Sequence, residues 1–408
     1  MSSTEASEGA RHHLASKTAI RLAVVTETWP PEVNGVANTI FQLVSGLLEQ
    51  GDYHVSLVRP RQKVEQPTLK HPAFEEITLK SITLPFYEEV HLGLPQYFTL
   101  KKHWSRNCPD IVQIVTEGPL GYAAVKAARA LNIPVFSDFH TRFDEYSKYY
   151  RVGGLLRVIK YYLRHFHNQT AMTLVPTAEL NNVLQQEGYQ HLKVLARGVD
   201  TKRFNPAQRS HSLRHKLNIS DNQLLVMLVA RLAPEKNADF AFSVFRQIQR
   251  AVPDARFVLV GDGPERARLQ AKHPDCIFTG MQCGEELATY YASADLFLYP
   301  SSSETFGLVV LEALASGLPV IAYDYAATAL HIKNRENGLA IPLNDEAAFC
   351  REAVHLATDR QLRQKLAVEA RKTASTLDWQ CIVTCFDQII RDILAESRHK
   401  NPVQVHYA

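Results

Sequence analysis

No apolar run in this 408-residue chain approaches the roughly 18 residues that a bilayer span needs, and the longest clean runs resemble Leu224–Ala230 in length. The first twenty residues are polar and lack the apolar core of a secretory leader. Cysteine is scarce, with six residues and no Cys-x-x-Cys pair, so no disulfide lattice is expected. Cys381 and Cys385 read as neighbours on one helix. Charge of one sign is also missing. Lys plus Arg is 45 against 42 for Asp plus Glu, a net charge of +3, which gives a nucleic-acid partner no support. There is no Asp-x-Asp motif and no His/Cys cluster with ligand spacing, so no metal and no other cofactor is expected. The apolar share of 46% and charged share of 21% exclude disorder and collagen. The chain reads as cytoplasmic.

What remains is a long globular chain, and its length favours two cores over one. Residues 1–19 read as a tail. Short apolar runs then alternate with helical patterns. Arg21–Val25, His54–Val58, Ile111–Val115, Pro134–Ser137, Met172–Val175 and Lys193–Leu195 read as strands. Val36–Gln50 reads as a helix stopped by Gly51. Residues 60–95 have no clear period. The rhythm restarts at Leu224–Ala230 and continues through Phe257–Val260, Ile277–Phe278, Leu296–Tyr299 and Val320–Ala322. This is the pattern of parallel sheets covered on both faces. The expectation is α/β architecture with two doubly wound, Rossmann-like domains facing across a cleft. The first spans 20–205, a polar hinge region 206–222, and the second 223–378. The last helix, 379–408, is placed to cross back to the first domain.

The candidate site lies at the carboxyl ends of strands, where open parallel sheets bind ligands. Glu304 follows the strand ending at Tyr299, and Gly307-Leu308 opens a helix whose free N–H groups suit phosphate. Glu312 lies about one turn further on. Two carboxylates beside an anion-binding helix start suit hydroxyl-rich ligands. The alternative is that Glu304 caps the helix and Glu312 is solvated. Arg231 and Lys236 follow Leu224–Ala230, and two cations there would neutralise a diphosphate. Gly261 and Gly263 follow another strand on the same edge.

These residues resemble the retaining glycosyltransferases of family 4, which have the GT-B fold. Glu304 and Glu312, with seven residues between them, match the family's two glutamates in a Glu-x-Phe306-Gly307 context. Arg231 and Lys236 match its phosphate-binding pair. Asn34-Gly35 matches the loop under the donor diphosphate, with Asn34 where a glycine is commoner. His140 matches the histidine beside the transferred sugar, the alternative being a packed core histidine. Asp324-Tyr-Ala-Ala departs from the glycine pair found in many members. The resemblance implies catalytic roles for His140, Glu304, Arg231 and Lys236. It implies donor binding by Asn34, Gly35, Arg231, Lys236, Gly261, Gly263, Phe306, Gly307, Leu308 and Glu312. It also implies attack on the face the nucleotide leaves, with the departing phosphate taking the proton.

Leu84–Pro95, Phe139–Tyr146 and Arg197–Phe204 are similar to a lipid-directed subgroup. That subgroup includes GDP-mannose-dependent alpha-mannosyltransferases and sulfoquinovosyl- or uronosyl-diacylglycerol synthases. The implied partners are a nucleotide sugar, with GDP-mannose first and a UDP-sugar as the alternative, and a lipid or glycan acceptor. Between Tyr146 and His167 lie Lys148, Arg151, Arg157, Lys160 and Arg164, no acidic residue, and several aromatics. Such a stretch suits an anionic membrane surface, which would place the enzyme on the inner face of the plasma membrane. The alternative is a basic helix packed on the sheet. Oligomeric state is left open.

Overall fold

The computed structural model describes residues 19–32, 34–62, 69–84, 87–140 and 156–400. The expected tail, the terminal 401–408 and the part of the basic stretch before residue 156 lie outside the described residues.

β1 (Ile20–Val25) opens the first domain. It is followed by β2 (Tyr53–Pro60), β3 (Phe74–Leu79), β6 (Ile111–Ile114), β7 (Val135–Asp138), β8 (Met172–Val175) and β9 (Leu192–Val194). Together they make a parallel sheet in the order β3-β2-β1-β6-β7-β8-β9. β6 and β7 are buried at every position, as a sheet covered on both faces requires. Between β3 and β6, in the stretch without a clear period, the chain forms an antiparallel hairpin of β4 (Ser81–Leu84) and β5 (Tyr87–Gly93). A helix, Tyr97–Trp104, follows it.

The second sheet runs β12 (Ile277–Gly280), β11 (Arg256–Val260), β10 (Leu225–Val229), β13 (Leu296–Tyr299), β14 (Val320–Tyr323) and β15 (Leu339–Ile341), all parallel. β15 is three residues long and carries no period that the sequence betrays. The strand order reverses between β1 and β6 in one sheet and between β10 and β13 in the other. Both crevices open towards each other. A Cβ added to Gly35 of the first domain would lie 3.6 Å from Leu308 Cδ1 of the second.

The polar stretch 206–222 is built into the second domain. It contains a 3₁₀ turn, Pro206–Gln208, and a helix, His211–Lys216. The fully buried Arg214 donates to the carbonyls of Ser293 (2.8 Å), Ser220 (2.7 Å) and Gln223 (2.6 Å), and to Asp295 Oδ2 (3.0 Å). The chain crosses between the sheets just before and long after this stretch, and the two crossings pair. Val199 N donates to Leu377 O at 2.9 Å, and Thr201 Oγ1 to Asp378 Oδ2 at 3.0 Å.

The final helix, Trp379–Lys400, packs on the first domain. Val383, Phe386, Ile390 and Ile393 join the core formed by the helix Gly35–Gln50 and β1–β2. Gly46 is the point of closest approach, since a Cβ there would stand 2.5 Å from Val383 Cγ2. Asp387 accepts from the Tyr53 hydroxyl at 2.5 Å, and Arg391 donates to Asp52 at 2.9 Å.

Candidate active site

On the second-domain edge, β13 delivers Ser301–Gly307. Glu304 Oε1 accepts from Lys236 Nζ (2.5 Å), Ser301 Oγ (2.8 Å) and the Tyr299 hydroxyl. Lys236 closes the 3₁₀ turn after β10, and its Nζ also reaches Ser303 O at 3.3 Å. The structure therefore joins two residues that the sequence separates by a whole βαβαβ unit. Arg231, earlier on the same loop, is exposed. Gly307 adopts a left-handed conformation (φ 90°) and starts the helix Leu308–Ala315 without a side-chain cap, and Val310 N turns back to Gly307 O at 3.1 Å.

The glycines after β11 have a packing reason. A Cβ on Gly261 (φ 134°) would lie 2.0 Å from Ala230 O, and one on Gly263 (φ 155°) 2.4 Å from Leu232 O. They let the β11 loop press directly against the backbone that carries Arg231. Phe306 buries its ring near His331, and its carbonyl accepts from Ala327 N at 2.8 Å. Its side chain thus anchors the loop from below.

Glu312 sits in different surroundings from Glu304. It accepts from the Tyr291 hydroxyl at 2.9 Å and lines an interdomain pocket with Asn38, Gln42, Arg203, Leu308 and Trp379. Burial pushes its carboxyl up to about 7, against the Tyr291 hydrogen bond and the Arg203 charge. The shared helix start holds one glutamate in an ion pair and the other in a desolvated pocket.

On the first-domain edge, Asn34 is the N-cap of the helix Gly35–Gln50. Its Oδ1 accepts from Ala37 N (2.8 Å) and its Nδ2 donates to Thr28 Oγ1 (2.6 Å). Its backbone is extended (φ −151°), so this position needs no glycine and gains a cap instead. His140 follows β7. Its Nδ1 lies 3.4 Å from Arg197 Nη2, and its Nε2 is buried without a hydrogen-bond partner among the described residues. Burial holds its pKa well below the usual histidine value, helped by the charge of Arg197 and by His167.

Beneath His140 lies a polar network that sequence reasoning missed. Asp138 Oδ2 accepts from Gln113 Nε2 at 2.6 Å, and burial lifts its carboxyl to about 6, against the nearby Arg197 charge. Glu117 faces His167 Nε2 at 3.3 Å, and His167 Nδ1 meets Ser137 Oγ at 2.9 Å. Glu27, just past β1, is lifted to about 7 by burial, although it accepts from the Leu120 and Gly93 backbones. The available signal was polar residues at the carboxyl ends of otherwise apolar strands: Glu27, Glu117 and Asp138.

The basic stretch is helical over Leu156–His167. Lys148 and Arg151 lie outside the described residues. Arg157 is exposed beside Val158 (60%) and Tyr161 (63%). Lys160, however, pairs with Glu187 at 2.7 Å, and Arg164 donates to Glu187 O at 3.0 Å. An acidic residue from another element thus answers a stretch that has none of its own. Its buried side meets the helix Pro119–Arg129 through Tyr122–Tyr162 and Tyr122–Phe166 ring contacts. Among the described residues, no three His, Cys, Asp or Glu side chains are grouped to hold a metal, and no helix is long and apolar enough to cross a membrane.

Residues 33–203 match the family described as Glycosyltransferase Family 4, and residues 210–373 the one described as Glycosyl transferases group 1. The chain is 33% identical over 365 residues to a GDP-mannose-dependent alpha-mannosyltransferase of Mycobacterium tuberculosis, covering 89% of this chain and 94% of that protein. It is 31% identical to the sulfoquinovosyl transferase SQD2 of Arabidopsis thaliana, covering 89% and 72%. It is 29% identical to an alpha-monoglucosyldiacylglycerol synthase of Streptococcus pneumoniae, covering 74% and 71%. Among solved structures, sucrose-phosphate synthase from Thermosynechococcus elongatus superposes with a TM-score of 0.74 at 20% identity, covering 92% of this chain and all of that one. Anabaena HepE bound to UDP-glucose gives 0.70 at 16%, covering 91% of this chain and all of that one. These two share the fold. The chain belongs to the GT-B glycosyltransferases of family 4. It is a retaining hexosyltransferase that takes a nucleotide-sugar donor and a hydroxyl acceptor.

Proposed function

We propose that this enzyme transfers a hexose from a nucleoside diphosphate sugar to a hydroxyl of a glycerolipid at an anionic membrane surface. The observation that carries the reading is the convergence at one strand end of Arg231, the Lys236–Glu304 pair and the uncapped helix start at Gly307, opposite Gly35. Two cations and the N–H groups at that helix start that lack a side-chain cap stabilise the charge that builds on a departing diphosphate. Glu304 and Glu312 accept hydrogen bonds from donor hydroxyls. His140, across the cleft, contacts the transferred sugar. The acceptor hydroxyl attacks from the side the diphosphate leaves and gives its proton to that phosphate, so the configuration is retained. Cleft closure excludes water and limits hydrolysis of the donor.

The relatives divide over the donor, one named for GDP-mannose, one for sulfoquinovose and one for a glucosylated diacylglycerol. A UDP-linked glucose, uronate or sulfoquinovose donor fits the wider set, and GDP-mannose is the second reading, supported by the relative of highest identity quoted above. The lipid acceptor is supported by the diacylglycerol product in one relative's name and by the exposed Arg157, Val158 and Tyr161. In the same domain, Phe98 is 83% exposed on a helix that also carries Lys101 and Lys102.

The test is a panel of GDP- and UDP-sugars offered with diacylglycerol in neutral or phosphatidylglycerol vesicles. Labelled sugar should move to the organic phase with one donor, faster on anionic vesicles, with the anomeric configuration kept. Transfer only to soluble glycans rejects the lipid acceptor. Binding that ignores vesicle charge, or that survives Arg157→Ser with Lys101→Ser and Lys102→Ser, rejects the membrane surface.

A further inference from the structure

His140 can serve the transferred sugar in two ways, and they are chemically opposite. A neutral imidazole with its proton on Nδ1 presents an Nε2 lone pair, which accepts a proton or a hydrogen bond. The other tautomer presents an Nε2–H, which can only donate. The choice is set by what the far nitrogen meets. Here Nδ1 meets Arg197 Nη2 at 3.4 Å. A guanidinium has donors and no acceptor, so Nδ1 must be the accepting nitrogen in this contact.

Arg197 is itself nearly inaccessible, 3% exposed, and its other described hydrogen bond is to Leu195 O at 3.4 Å. It follows β9 closely, and His140 follows β7. The two are thus brought together by the sheet, from positions far apart in the chain. Asp138 lies on the strand end below and supplies the opposing charge that keeps a buried guanidinium tolerable. The other nitrogen, Nε2, is buried and has no hydrogen-bond partner among the described residues.

We propose that Arg197 is a positioning residue that locks His140 as the Nε2–H tautomer, making His140 a hydrogen-bond donor to the transferred sugar and excluding it as a general base. The claim rests on the reading of His140 as the residue beside that sugar. It removes His140 Nε2 from the groups that could take the acceptor's proton. No bond to His140 is made or broken. The imidazolium is disfavoured by the same neighbour, because a second cation would stand against the buried guanidinium. Burial already holds the ring neutral, in the same direction.

The experiment is nitrogen NMR of histidine-labelled full-length protein near neutral pH without donor, with the His140 ring identified by its loss in His140→Asn. The wild type should show a protonated Nε2 and an unprotonated Nδ1. Arg197→Lys, which also can only donate, should keep that pattern. Arg197→Met should mix the two tautomers and lower kcat about ten- to a hundredfold, with donor KM nearly unchanged. Arg197→Lys should recover much of that loss. A wild-type ring protonated on Nδ1, or on both nitrogens, overturns the proposal. So does Arg197→Met with a wild-type pattern and turnover. The wild-type spectrum and Arg197→Lys decide the matter even if Arg197→Met fails to fold. The spectrum needs no substrate, so a correct tautomer without turnover on any donor would reject the functional reading alone.

Discussion

The two lips of the cleft handle charge in opposite ways. On the second-domain lip, Lys236 and Glu304 neutralise each other directly at 2.5 Å, and Arg231 stands in solvent. On the first-domain lip, Asp138 and Arg197 are buried and Glu27 partly so, none in an ion pair among the described residues, and both carboxyls are lifted towards neutrality. The second lip keeps fixed charge at Arg231 and at the Lys236–Glu304 pair, and loses it only at the desolvated Glu312. The first suppresses carboxylate charge at Glu27 and Asp138. The division of labour follows from solvation: full charges are kept where they are paired or wet, and are suppressed where they are dry.

Removing a cation from the second lip should have the largest effect. Arg231→Ala and Lys236→Met should each lower kcat/KM on the order of a hundred- to a thousandfold in steady-state donor kinetics. They should part company in stability. Lys236→Met leaves the Glu304 carboxylate without its counter-cation and should cost about 2–3 kcal/mol in urea unfolding. Arg231→Ala, at an exposed site, should cost no more than about 0.5 kcal/mol. Equal stability losses would break the distinction between a paired and a free cation.

Gly261→Ala probes the shape of the same lip. Its Cβ would stand 2.0 Å from a carbonyl oxygen at a φ of 134°. A loss of about 2 kcal/mol or more is expected in urea titrations, with donor KM raised because the Arg231 loop must shift. A neutral result would mean the loops are not in contact.

The first lip is sharpened by pH. Glu27 is lifted from 4.5 to about 7 in the fold, so between those values the folded state holds more protons than the unfolded. Its contribution to stability is complete below pH 4.5 and is lost as pH rises through about 7. Asp138 acts in the same direction, and so does Glu312 on the second lip. Glu27→Gln should flatten this slope, gaining about 3 kcal/mol relative to wild type at alkaline compared with acidic pH. An unchanged slope removes Glu27 from the account. The smallest expected effect is that of chelation. Because Arg231 and Lys236 supply the positive charge, excess EDTA should change turnover by less than about twofold. Complete loss restored by Mg²⁺ would overturn that.

Much of this was legible because apolar runs mark doubly buried strands, and strand ends mark ligand edges. The Glu304–Lys236 edge could be named from spacing and from the order of strands. The missing parts share one cause. Arg214, Arg197, His167 and Glu117 are core residues with polar names, and a reading based on apolar period assigns such residues to the surface. That is why 206–222 looked like a hinge when Arg214 was tying it down, and why the basic helix looked uncompensated when Glu187 lay far off in sequence. β3 and β15 escaped for a different reason: one is half-buried with adjacent glutamates, Glu75 and Glu76, and the other is very short.

The return of the helix Trp379–Lys400 to the first domain sets a timetable for synthesis. Val383, Phe386 and Ile390 fill the groove along Gly46, and nothing earlier in the chain takes their place. While the second domain is still being made, the first has its sheet but an open, oily flank. It can be sealed only after the last helix leaves the ribosome, when the second domain is already able to close. Nascent chains of this architecture therefore spend nearly half of their translation time with a sticky first half, and a stop codon ahead of Trp379 would leave that half permanently unsealed.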